Sequence, residues 1–502
     1  MPLPLRAHGW RGGAIFRAAP SLVSQAMAID PSKETPNHTR QLHPKWHYHF
    51  LGIGGVGMSA LAEILHGRGI RVSGSDSNGG AAMDALAGRG IAVSVGHSAE
   101  ALADADVVVY SSAVGKGNPI WRTVEGLGLP RLHRAELLGA LAAGKRTLAV
   151  TGTHGKTTTT AALGHLLARC GADPTVLVGG HVPQLEGRNW REGEGSWLVC
   201  EADESDASFL HLSPEAVLLT NVEADHLDFH GSLDKMEAAF SAFLDRIPKN
   251  GLLVYCLDDP GSRRLGSPQR GRPDVRAVSY GFSGEADFGV EVTEMRHGGG
   301  RVTFRDEGGE RSLEVSLIGR HNALNLCGAY AMGRSLGLPE AALLDAIADF
   351  RGVSRRQQFV GVLKLDDGDS LSIHDDYAHH PTEIRATLEA FLAIYGPQLT
   401  VVFQPHLYSR TARFAREFAE ALRPASRIYL TEIYGAREEP PPGVSSELIA
   451  GHLRDHPRAA LLADWREVAG RIRGGEVPPG ILLTMGAGDI TELGPWLMGE
   501  LA

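Results

Sequence analysis

The run 152–158 is a candidate phosphate-binding loop. It reads Gly-Thr-His-Gly-Lys-Thr-Thr, follows an apolar strand pattern at 147–151 and opens a helical pattern at about 156–169. It is a shortened relative of the Walker A motif, with two residues instead of four between its glycines. In that motif the lysine contacts the β and γ phosphates and the next hydroxyl binds Mg²⁺, which predicts ATP and Mg²⁺ as ligands of Lys156 and Thr157. The alternative is a solvent-facing lysine in an ordinary glycine turn.

Two polar runs follow the next predicted strands. Glu201 ends the strand pattern 197–201, and ligands of parallel sheets bind at that end, so Glu201 is a candidate metal ligand. The acids at 203, 204 and 206 fit either a site or a solvated loop. His226 stands between acids after the strand pattern 216–220 and is a second candidate metal ligand. The alternative for His226 is a histidine satisfied by hydrogen bonds.

A second glycine loop lies nearer the start of the chain. Residues 52–57 read Gly-Ile-Gly-Gly-Val-Gly after a strand predicted at 49–53, and Asp76 follows about twenty residues later. Such glycines let the backbone approach a diphosphate, and the acid binds a ribose. The loop therefore fits a dinucleotide, another diphosphate such as a nucleotide sugar, or a structural turn. Ser112, after a further strand, is placed to offer a hydroxyl to the same ligand.

Three polar clusters mark the last third of the chain. Asn322 and Asn325 face the same way on a predicted helix and are candidates for reading an adenine edge, although helix capping by Asn322 is the alternative. The run 374–381 is rich in histidine and aspartate and follows a strand. The run 404–411 contains Arg410, whose guanidinium suits the capture of a carboxylate.

The patterns around these residues alternate between strand and helix in three successive runs. Such alternation favours parallel sheets with helices on both faces, while short alternating strands predict an antiparallel segment at about 281–319. We therefore predict an α/β protein. Its expected segments are a disordered or extended tail at 1–45 and domains at 46–146, 147–319 and 320–502.

The composition excludes several classes of function. A net charge of −10 argues against a protein that binds nucleic acid, and no apolar run is long enough to span a membrane. The four cysteines are dispersed without a CxxC pair, which favours a reducing compartment and predicts a cytoplasmic protein. In the tail, Met27 is an alternative start of translation.

Taken together and in order, these motifs resemble the Mur ligases of peptidoglycan synthesis over about residues 46–492. The resemblance implies an N-terminal Rossmann-like domain, a central P-loop ATPase-type domain with a mostly parallel sheet, and a C-terminal Rossmann-like domain. More narrowly, the chain is similar to the alanine-adding branch. That branch implies an ATP-dependent, ADP-forming ligase for UDP-N-acetylmuramate and L-alanine, with no nucleic-acid or membrane partner, as a monomer or weak homodimer.

The resemblance also implies roles for individual residues. The nucleotide-sugar contacts would be Gly54, Gly55, Gly57, Met58, Asp76 and Ser112. ATP would be held by Gly152, Thr153, His154, Gly155, Lys156, Thr157 and Thr158. Its metal ions would be held by Thr157, Glu201 and His226. Asn322 and Asn325 would contact the adenine, Arg356 the phosphates and Asp376 the ribose. The amino acid would be framed by Tyr377, His379 and Arg410, with Lys156, His379 and Arg410 as the catalytic residues.

The sequence also departs from the general family pattern. Residues 239–242, about fifteen positions after His226, lack the lysine that other branches modify, as in the alanine-adding branch. Leu407 stands where many relatives have arginine. The open alternatives are a related ligase for another amino acid or a recycled peptide, a nicotinamide-dependent dehydrogenase, and a non-catalytic nucleotide sensor.

Overall fold

The described part of the chain comprises residues 42–115, 117–365, 368–436 and 438–501 in a computed structural model. These residues form three β-sheets, with five, ten and six strands. The tail predicted at 1–45 lies outside the described residues as far as residue 41. No helix in the described ranges is both long and apolar enough to cross a lipid bilayer.

The first sheet is entirely parallel, in the order β3-β2-β1-β4-β5. Its strands are β1 His47–Leu51, β2 Arg71–Asp76, β3 Ala92–Val95, β4 Val107–Tyr110 and β5 Arg131–His133. The accompanying helices are α1 Val56–Gly67, α2 Ala81–Gly88, α3 Ile120–Gly126 and α4 Arg134–Ala142. β1 begins and ends two residues earlier than the strand predicted at 49–53. It ends at Leu51 because Gly52 adopts a left-handed φ of 75°. The loops after β1 and β4 flank the point where the strand order reverses, which is the usual ligand crevice.

The second sheet has the order β15-β14-β13-β12-β11-β10-β6-β9-β7-β8. Its strands are β6 Arg146–Thr151, β7 Thr175–Val182, β8 Arg188–Arg191, β9 Trp197–Glu201, β10 Ala216–Leu219, β11 Gly251–Cys256, β12 Val275–Gly281, β13 Phe288–Arg296, β14 Gly299–Asp306 and β15 Gly309–Val315. The pairs β7–β8, β13–β14 and β14–β15 are antiparallel and the others are parallel. The antiparallel segment predicted at 281–319 is therefore confirmed.

Six helices accompany the second sheet in the described chain, and they differ in what they pack on. They are α5 Lys156–Arg169, α6 Leu227–His230, α7 Leu233–Leu244, α8 Pro260–Gly266, α9 Arg320–Ser335 and α10 Glu340–Asp349. α9 and α10 share one hydrophobic core with α5 and the second sheet. The packing thus groups residues 320–353 with the central sheet, whereas the predicted boundary placed them with the C-terminal segment. Their apolar faces meet β12, β13 and α5, which the sequence pattern alone does not reveal.

The third sheet has the order β16-β17-β21-β18-β19-β20, and all its pairs except β16–β17 are parallel. Its strands are β16 Gln358–Lys364, β17 Ser370–Asp376, β18 Leu399–Phe403, β19 Arg427–Leu430, β20 Ala459–Leu461 and β21 Gly480–Met485. Its helices are α11 Pro381–Tyr395, α12 Tyr408–Leu422, α13 Glu447–Gly451, α14 Glu467–Arg473 and α15 Leu493–Glu500. Parallel pairs predominate in each sheet, so the predicted α/β class is confirmed.

The position of α5 depends on a close helix–strand approach. Gly164 lies in the middle of α5, and a Cβ atom built on it would stand 2.6 Å from Cγ1 of Val176 in β7. No side-chain methyl group fits in that gap without movement of the helix or the strand. Because α5 begins directly at Lys156, this contact helps to fix the end of the helix that carries the phosphate-binding loop.

We expect Gly164→Ala to lower the free energy of unfolding by about 1–3 kcal/mol, as overpacked cores do. Gly470→Ala is the matched control, because Gly470 is in a helix and a Cβ atom added there would meet no other atom within 4 Å. The control is expected to stabilise by about 0.5–1 kcal/mol. Chemical denaturation of both variants measures the difference, and equal shifts would contradict the close approach.

Candidate functional site

Five polar loops converge because they follow parallel strands at the same edge. The loop 152–155 follows β6, the loop 202–207 follows β9 and the loop 220–226 follows β10, and these three strands are neighbours. Parallel strands bring the loops at their carboxyl ends to one edge of the sheet. The loops 377–380 after β17 and 404–407 after β18 belong to the third sheet and face the same region.

The phosphate-binding loop can only be built with glycine at two positions. Gly152 has φ 131°, and its Cβ would stand 2.2 Å from Oγ1 of Thr220. Gly155 has φ 82°, and its Cβ would stand 2.6 Å from Oδ1 of Asn325. The backbone N–H of His154 donates to Oδ1 of Asn221 at 2.8 Å, which fixes the loop against the strand beside it.

Lys156 is largely buried, with 15 % of its side chain exposed, and it is paired. Its ammonium donates to the carbonyl oxygens of Gly152 and Thr153 at 2.6 and 3.1 Å and to Oε1 of Glu204 at 2.9 Å. Burial opposes the charged form, but Glu204 and Asp203 outweigh it and raise the pKa of Lys156. The side chain of Glu204 is 0 % exposed, so the solvated-loop interpretation is wrong for this residue. The structure therefore supports a charged lysine at the base of the loop, not a solvent-facing one.

Two of the predicted metal ligands face each other. Oγ1 of Thr157 donates to Oε2 of Glu201 at 3.3 Å, and Oε1 of Glu201 accepts from the backbone N–H of Gly179. Burial raises the pKa of Glu201. A hydroxyl and a carboxylate side by side are the hard oxygen donors that Mg²⁺ prefers.

The third predicted metal ligand, His226, occupies an unusual backbone conformation. Its φ is 51°, and its backbone N–H donates to Oδ1 of Asp225 at 2.8 Å. Nε2 of His226 lies 3.7 Å from Oδ2 of Asp225. Burial lowers the pKa of His226, which favours the neutral imidazole. The structure gives His226 a carboxylate neighbour and does not bring it into direct contact with Glu201 or Thr157.

A cavity of about 290 Å³ lies between the central and third sheets. The sequence-predicted ATP residues that line it are His154, Gly155, Thr158, Asn322, Asn325, Arg356 and Asp376. Helix α9 begins after Gly319, and Nδ2 of Asn322 donates to the carbonyl oxygen of Ile318 at 2.9 Å and to Oε1 of Gln357 at 3.0 Å. The helix-capping interpretation of Asn322 is therefore wrong.

Asp376 and Arg356 enter this cavity from the start of the third sheet. The carboxylate of Asp376 accepts backbone N–H bonds from Gln357 at 2.9 Å and Ala378 at 2.8 Å. Burial raises the pKa of Asp376 to about 6. Nη1 of Arg356 lies 3.5 Å from Oε1 of Glu383, a residue that the sequence analysis did not single out. Its signal was only an acidic residue in the first turn of a helix.

The first glycine loop forms a tight backbone turn against Asp76. The N–H of Gly54 donates to Oδ2 of Asp76 at 2.9 Å. A Cβ on Gly57 would stand 3.0 Å from Nη1 of Arg134. Gly55 is the residue before α1, and the side chain of Met58 is buried in the core of the first sheet. The side chain of Met58 is thus turned away from the loop surface.

The loop 203–206 links the phosphate-binding loop to Ser112 and Arg134, which follow β4 and β5 of the first sheet. Oγ of Ser112 donates to Oδ2 of Asp206 and lies 3.1 Å from Nε2 of His133. Nη2 of Arg134 lies 3.5 Å from Oδ2 of Asp203. Because Glu204 in the same loop pairs with Lys156, four consecutive residues extend from the phosphate-binding lysine to the first sheet. The sequence analysis did not foresee this connection.

Arg410 already holds a carboxylate. Its Nη2 donates to both oxygens of Asp225, at 3.0 and 3.2 Å, and both side chains are buried. Burial would raise the pKa of Asp225, but the Arg410 guanidinium holds it well below its ordinary value. Nη1 of Arg410 lies 3.2 Å from Nδ1 of His406. Its Nε atom is buried and has no hydrogen-bond partner within the described residues.

His379 and Tyr377 lie beside this ion pair. Nδ1 of His379 lies 3.0 Å from the carbonyl oxygen of Tyr377, and the two rings meet edge to face with centroids 5.2 Å apart. Burial lowers the pKa of His379 to about 3, so its imidazole is neutral near neutral pH. The guanidinium of Arg356 also lies over the ring of Tyr377, with its Cζ atom 5.1 Å from the ring centroid.

His154 lies between carboxylates of two sheets. Its Nε2 is 3.4 Å from Oε2 of Glu223, and its Nδ1 is 3.4 Å from Oε1 of Glu383. Burial opposes the charged form, but the two carboxylates outweigh it and raise the pKa of His154 to about 9. Oγ1 of Thr382 donates to the same oxygen of Glu223 at 2.8 Å. We call this set of contacts, together with Arg410–Asp225, the seam between the central and third sheets.

The pKa of His154 predicts a pH-dependent seam. Because the pKa is raised from 6.5 to about 9, the charge of His154 stabilises the folded state fully below pH 6.5 and ceases to do so as the pH rises through about 9. We expect wild type to melt above His154→Gln at pH 6 and this difference to shrink by pH 10. Thermal melts at five pH values measure it. A difference that stays constant across this range would contradict an ionic contact.

Comparison with known proteins agrees with this geometry. The Mur ligase family, catalytic domain, matches residues 47–146, the Mur ligase middle domain matches residues 150–333, and the Mur ligase, glutamate ligase domain, matches residues 355–488. A UDP-N-acetylmuramate–L-alanine ligase of Mycobacterium marinum is 41 % identical over 468 residues, covering 90 % of this chain and 94 % of that protein. The enzyme of that name from an Arthrobacter species is 44 % identical, covering 85 % and 89 %.

Solved structures give the same result. The UDP-N-acetylmuramate–alanine ligase of Thermotoga maritima superposes with a TM-score of 0.76 at 30 % identity, covering 90 % of this chain and 98 % of that one. A murein peptide ligase of Psychrobacter arcticus shares the fold, with a TM-score of 0.68 at 23 % identity and coverage of 91 % and 98 %. With a three-sheet architecture, a phosphate-binding loop and family matches over most of its length, this chain belongs to the Mur ligase family.

Proposed function

We propose that this chain joins L-alanine to the lactyl carboxylate of UDP-N-acetylmuramate with cleavage of ATP to ADP and inorganic phosphate, in the synthesis of the peptidoglycan precursor. The observation that carries the proposal is the loop 203–206. Through Glu204 it contacts the phosphate-binding Lys156, and through Asp203 and Asp206 it contacts Arg134 and Ser112 at the first sheet. A γ-phosphate and a sugar carboxylate bound at these two places would meet beside one short loop.

The proposed reaction has two steps. A carboxylate oxygen of the sugar attacks the γ-phosphorus of ATP, the bond to the β-phosphate oxygen breaks, and ADP leaves. The amine nitrogen of alanine then attacks the acyl carbon of the resulting acyl phosphate, the bond to the phosphate oxygen breaks, and inorganic phosphate leaves. The amine proton passes to solvent or to a neighbouring base. Phosphoryl transfer of this kind depends on positioning and charge neutralisation, so no protein nucleophile is required.

We assign one ligand to each segment of the chain. Residues 46–146 would bind the UDP-sugar, 147–319 with helices α9 and α10 would bind most of the ATP, and the segment after α10 would bind alanine and complete the ATP cavity. In the ATP cavity, Asn322 and Asn325 would face adenine, Arg356 the phosphates and Asp376 the ribose. These four side chains line one cavity with the loop residues His154 and Gly155, which supports the assignment.

The oxygens of Thr157 and Glu201 fit an Mg²⁺ ion because they are hard donors held side by side at 3.3 Å. Bound there, the ion would neutralise charge on the transferred phosphate. His226 would hold a second ion with Asp225 as an oxygen neighbour. The buried, charged Lys156 supplies further positive charge at the base of the same loop.

The position proposed for alanine follows from an unused hydrogen-bond donor of Arg410. Two of its nitrogens already contact Asp225 and His406, while Nε is buried without a partner in the described chain. We propose that the carboxylate of alanine binds at this donor, with Tyr377 and neutral His379 beside it.

The four free cysteines, three of them buried, are in keeping with a reducing, cytoplasmic location.

Lys156→Ala tests the central assignment. We expect phosphate release to fall by at least about 10²–10³-fold, because a charge aimed at the transferred phosphoryl group is lost. Binding of UDP-N-acetylmuramate, measured by calorimetry, is expected to stay within twofold of wild type. Lys249→Ala, at an exposed lysine, is the matched control and is expected to keep full activity. Wild-type turnover by Lys156→Ala would refute the role of the loop.

The acceptor is tested by phosphate release with UDP-N-acetylmuramate, ATP and Mg²⁺ and a panel of acceptors. We expect L-alanine to give the highest kcat/KM, above L-serine and glycine. The rings of Tyr377 and His379 bound the proposed pocket beside Arg410 and leave little room for a larger side chain, while glycine lacks the methyl group that would pack against them. A higher value with a tripeptide would assign the chain to peptide recycling. A lack of phosphate release with every acceptor, together with binding of nicotinamide dinucleotide, would favour a dehydrogenase instead.

A further inference from the structure

Three potential metal ligands meet at the seam between the central and third sheets. One ligand atom each of His154, Glu223 and His380 lies within 4.8 Å of the other two. His154 comes from the phosphate-binding loop, Glu223 from the loop after β10, and His380 from the residue before α11. None of the three is among the metal ligands assigned above.

The two imidazoles present nitrogens that lack hydrogen-bond partners. Nε2 of His154 and Nε2 of His380 are buried and make no hydrogen bond within the described residues. His380 is 5 % exposed, and its ring lies 4.8 Å from that of His154, centroid to centroid. A buried polar atom without a partner is unusual in a folded protein and calls for an explanation such as an ion. Because Nε2 of His154 already faces Oε2 of Glu223 at 3.4 Å, it is the unpartnered Nε2 of His380 that points to a ligand here.

The distance between His154 and Glu223 suits a tetrahedral metal centre, and the ligand atom of His380 lies within 4.8 Å of both. Ligand atoms about 2.1 Å from a tetrahedral Zn²⁺ ion lie about 3.4 Å apart. Nε2 of His154 and Oε2 of Glu223 are 3.4 Å apart. On the other side of the ring, Nδ1 of His154 faces Oε1 of Glu383 at 3.4 Å. A carboxylate in that place is the usual outer partner of a metal-bound imidazole, because it fixes the ring and its proton.

We propose that His154, Glu223 and His380 bind a divalent transition-metal ion of the Zn²⁺ type. Two imidazole nitrogens and one carboxylate select such an ion over Mg²⁺, which prefers an all-oxygen shell. The side chain of Glu223 is 35 % exposed, which gives the ion a path from solvent and leaves a fourth position open.

Binding has two costs that the protein must meet. Nδ1 of His380 accepts a hydrogen bond from the backbone N–H of Thr382 at 3.3 Å, and coordination through Nε2 requires that this long bond be given up. The ion must also displace the proton that Glu223 and Glu383 favour on His154. Both costs are small beside the free energy of a zinc–imidazole site.

The site would act as a clamp. Its ligands belong to two sheets, so it is complete only while the seam is closed, and an ion bound there stabilises the closed form. A transition metal at this position would therefore oppose separation of the two sheets at the seam. The inference does not depend on which acid and amine the enzyme joins.

The test uses the full chain, without nucleotide or sugar, in millimolar Mg²⁺ so that the oxygen-rich sites are occupied. Co²⁺ serves as a spectroscopic probe and Zn²⁺ as its competitor. We expect wild type to bind one Co²⁺ with the intense visible bands of four-coordinate nitrogen and oxygen ligation, and Zn²⁺ to abolish them. Absence of binding under these conditions would overturn the proposal.

Variants separate this site from the others. His380→Asn, which keeps a side chain able to cap α11, and Glu223→Gln are each expected to weaken Co²⁺ binding at least tenfold. His226→Ala and His165→Ala are the controls and are expected to bind as wild type does. Loss of the bands in His226→Ala with retention in His380→Asn would overturn the assignment. Circular dichroism of each variant checks that it is folded.

Discussion

The site depends on one buried positive charge. Lys156 carries its ammonium at the base of the phosphate-binding loop, and Glu204 beneath it has no exposure to solvent. A buried charge is costly unless it is paired and hydrogen-bonded, and here one carboxylate and two carbonyl oxygens meet that requirement. The pairing also draws the loop 203–206 over the edge of the central sheet, where its other acids contact the first sheet. The charge of Lys156 therefore also helps to position the loop that joins the central and first sheets.

Local signals in the sequence were sufficient for the elements that carry the chemistry. The predicted helix at 156–169 and strand at 197–201 coincide with α5 and β9, because a glycine loop and an uninterrupted apolar run mark their ends. Asn322, Asn325 and Asp376 line a single cavity, although only the resemblance to the Mur ligases indicated that they share a ligand. Short edge strands such as β8, which reads Arg-Asn-Trp-Arg, escaped prediction because pairing with β7 and not hydrophobicity forms them.

Contacts between distant segments could not be predicted in the same way. Glu383 approaches His154, Arg356 and His379, and Asp225 holds Arg410, yet most of these partners are separated by many residues and no periodicity links them. Glu204 has the same composition signal as a solvated acid, and only burial distinguishes the two. The grouping of α9 with the central sheet was likewise invisible, because an apolar helical face does not reveal which sheet will cover it.

The approach of Asn325 to Gly155 couples two parts of the proposed ATP site, which are the helix α9 and the phosphate-binding loop. The amide oxygen of Asn325 occupies the place where a side chain on Gly155 would begin, 2.6 Å from that Cβ position. A longer residue at 325 would push on the backbone of the phosphate-binding loop. Under the proposed assignment of Asn325 to the base, a change of base preference would therefore require the loop and helix α9 to be redesigned as one unit.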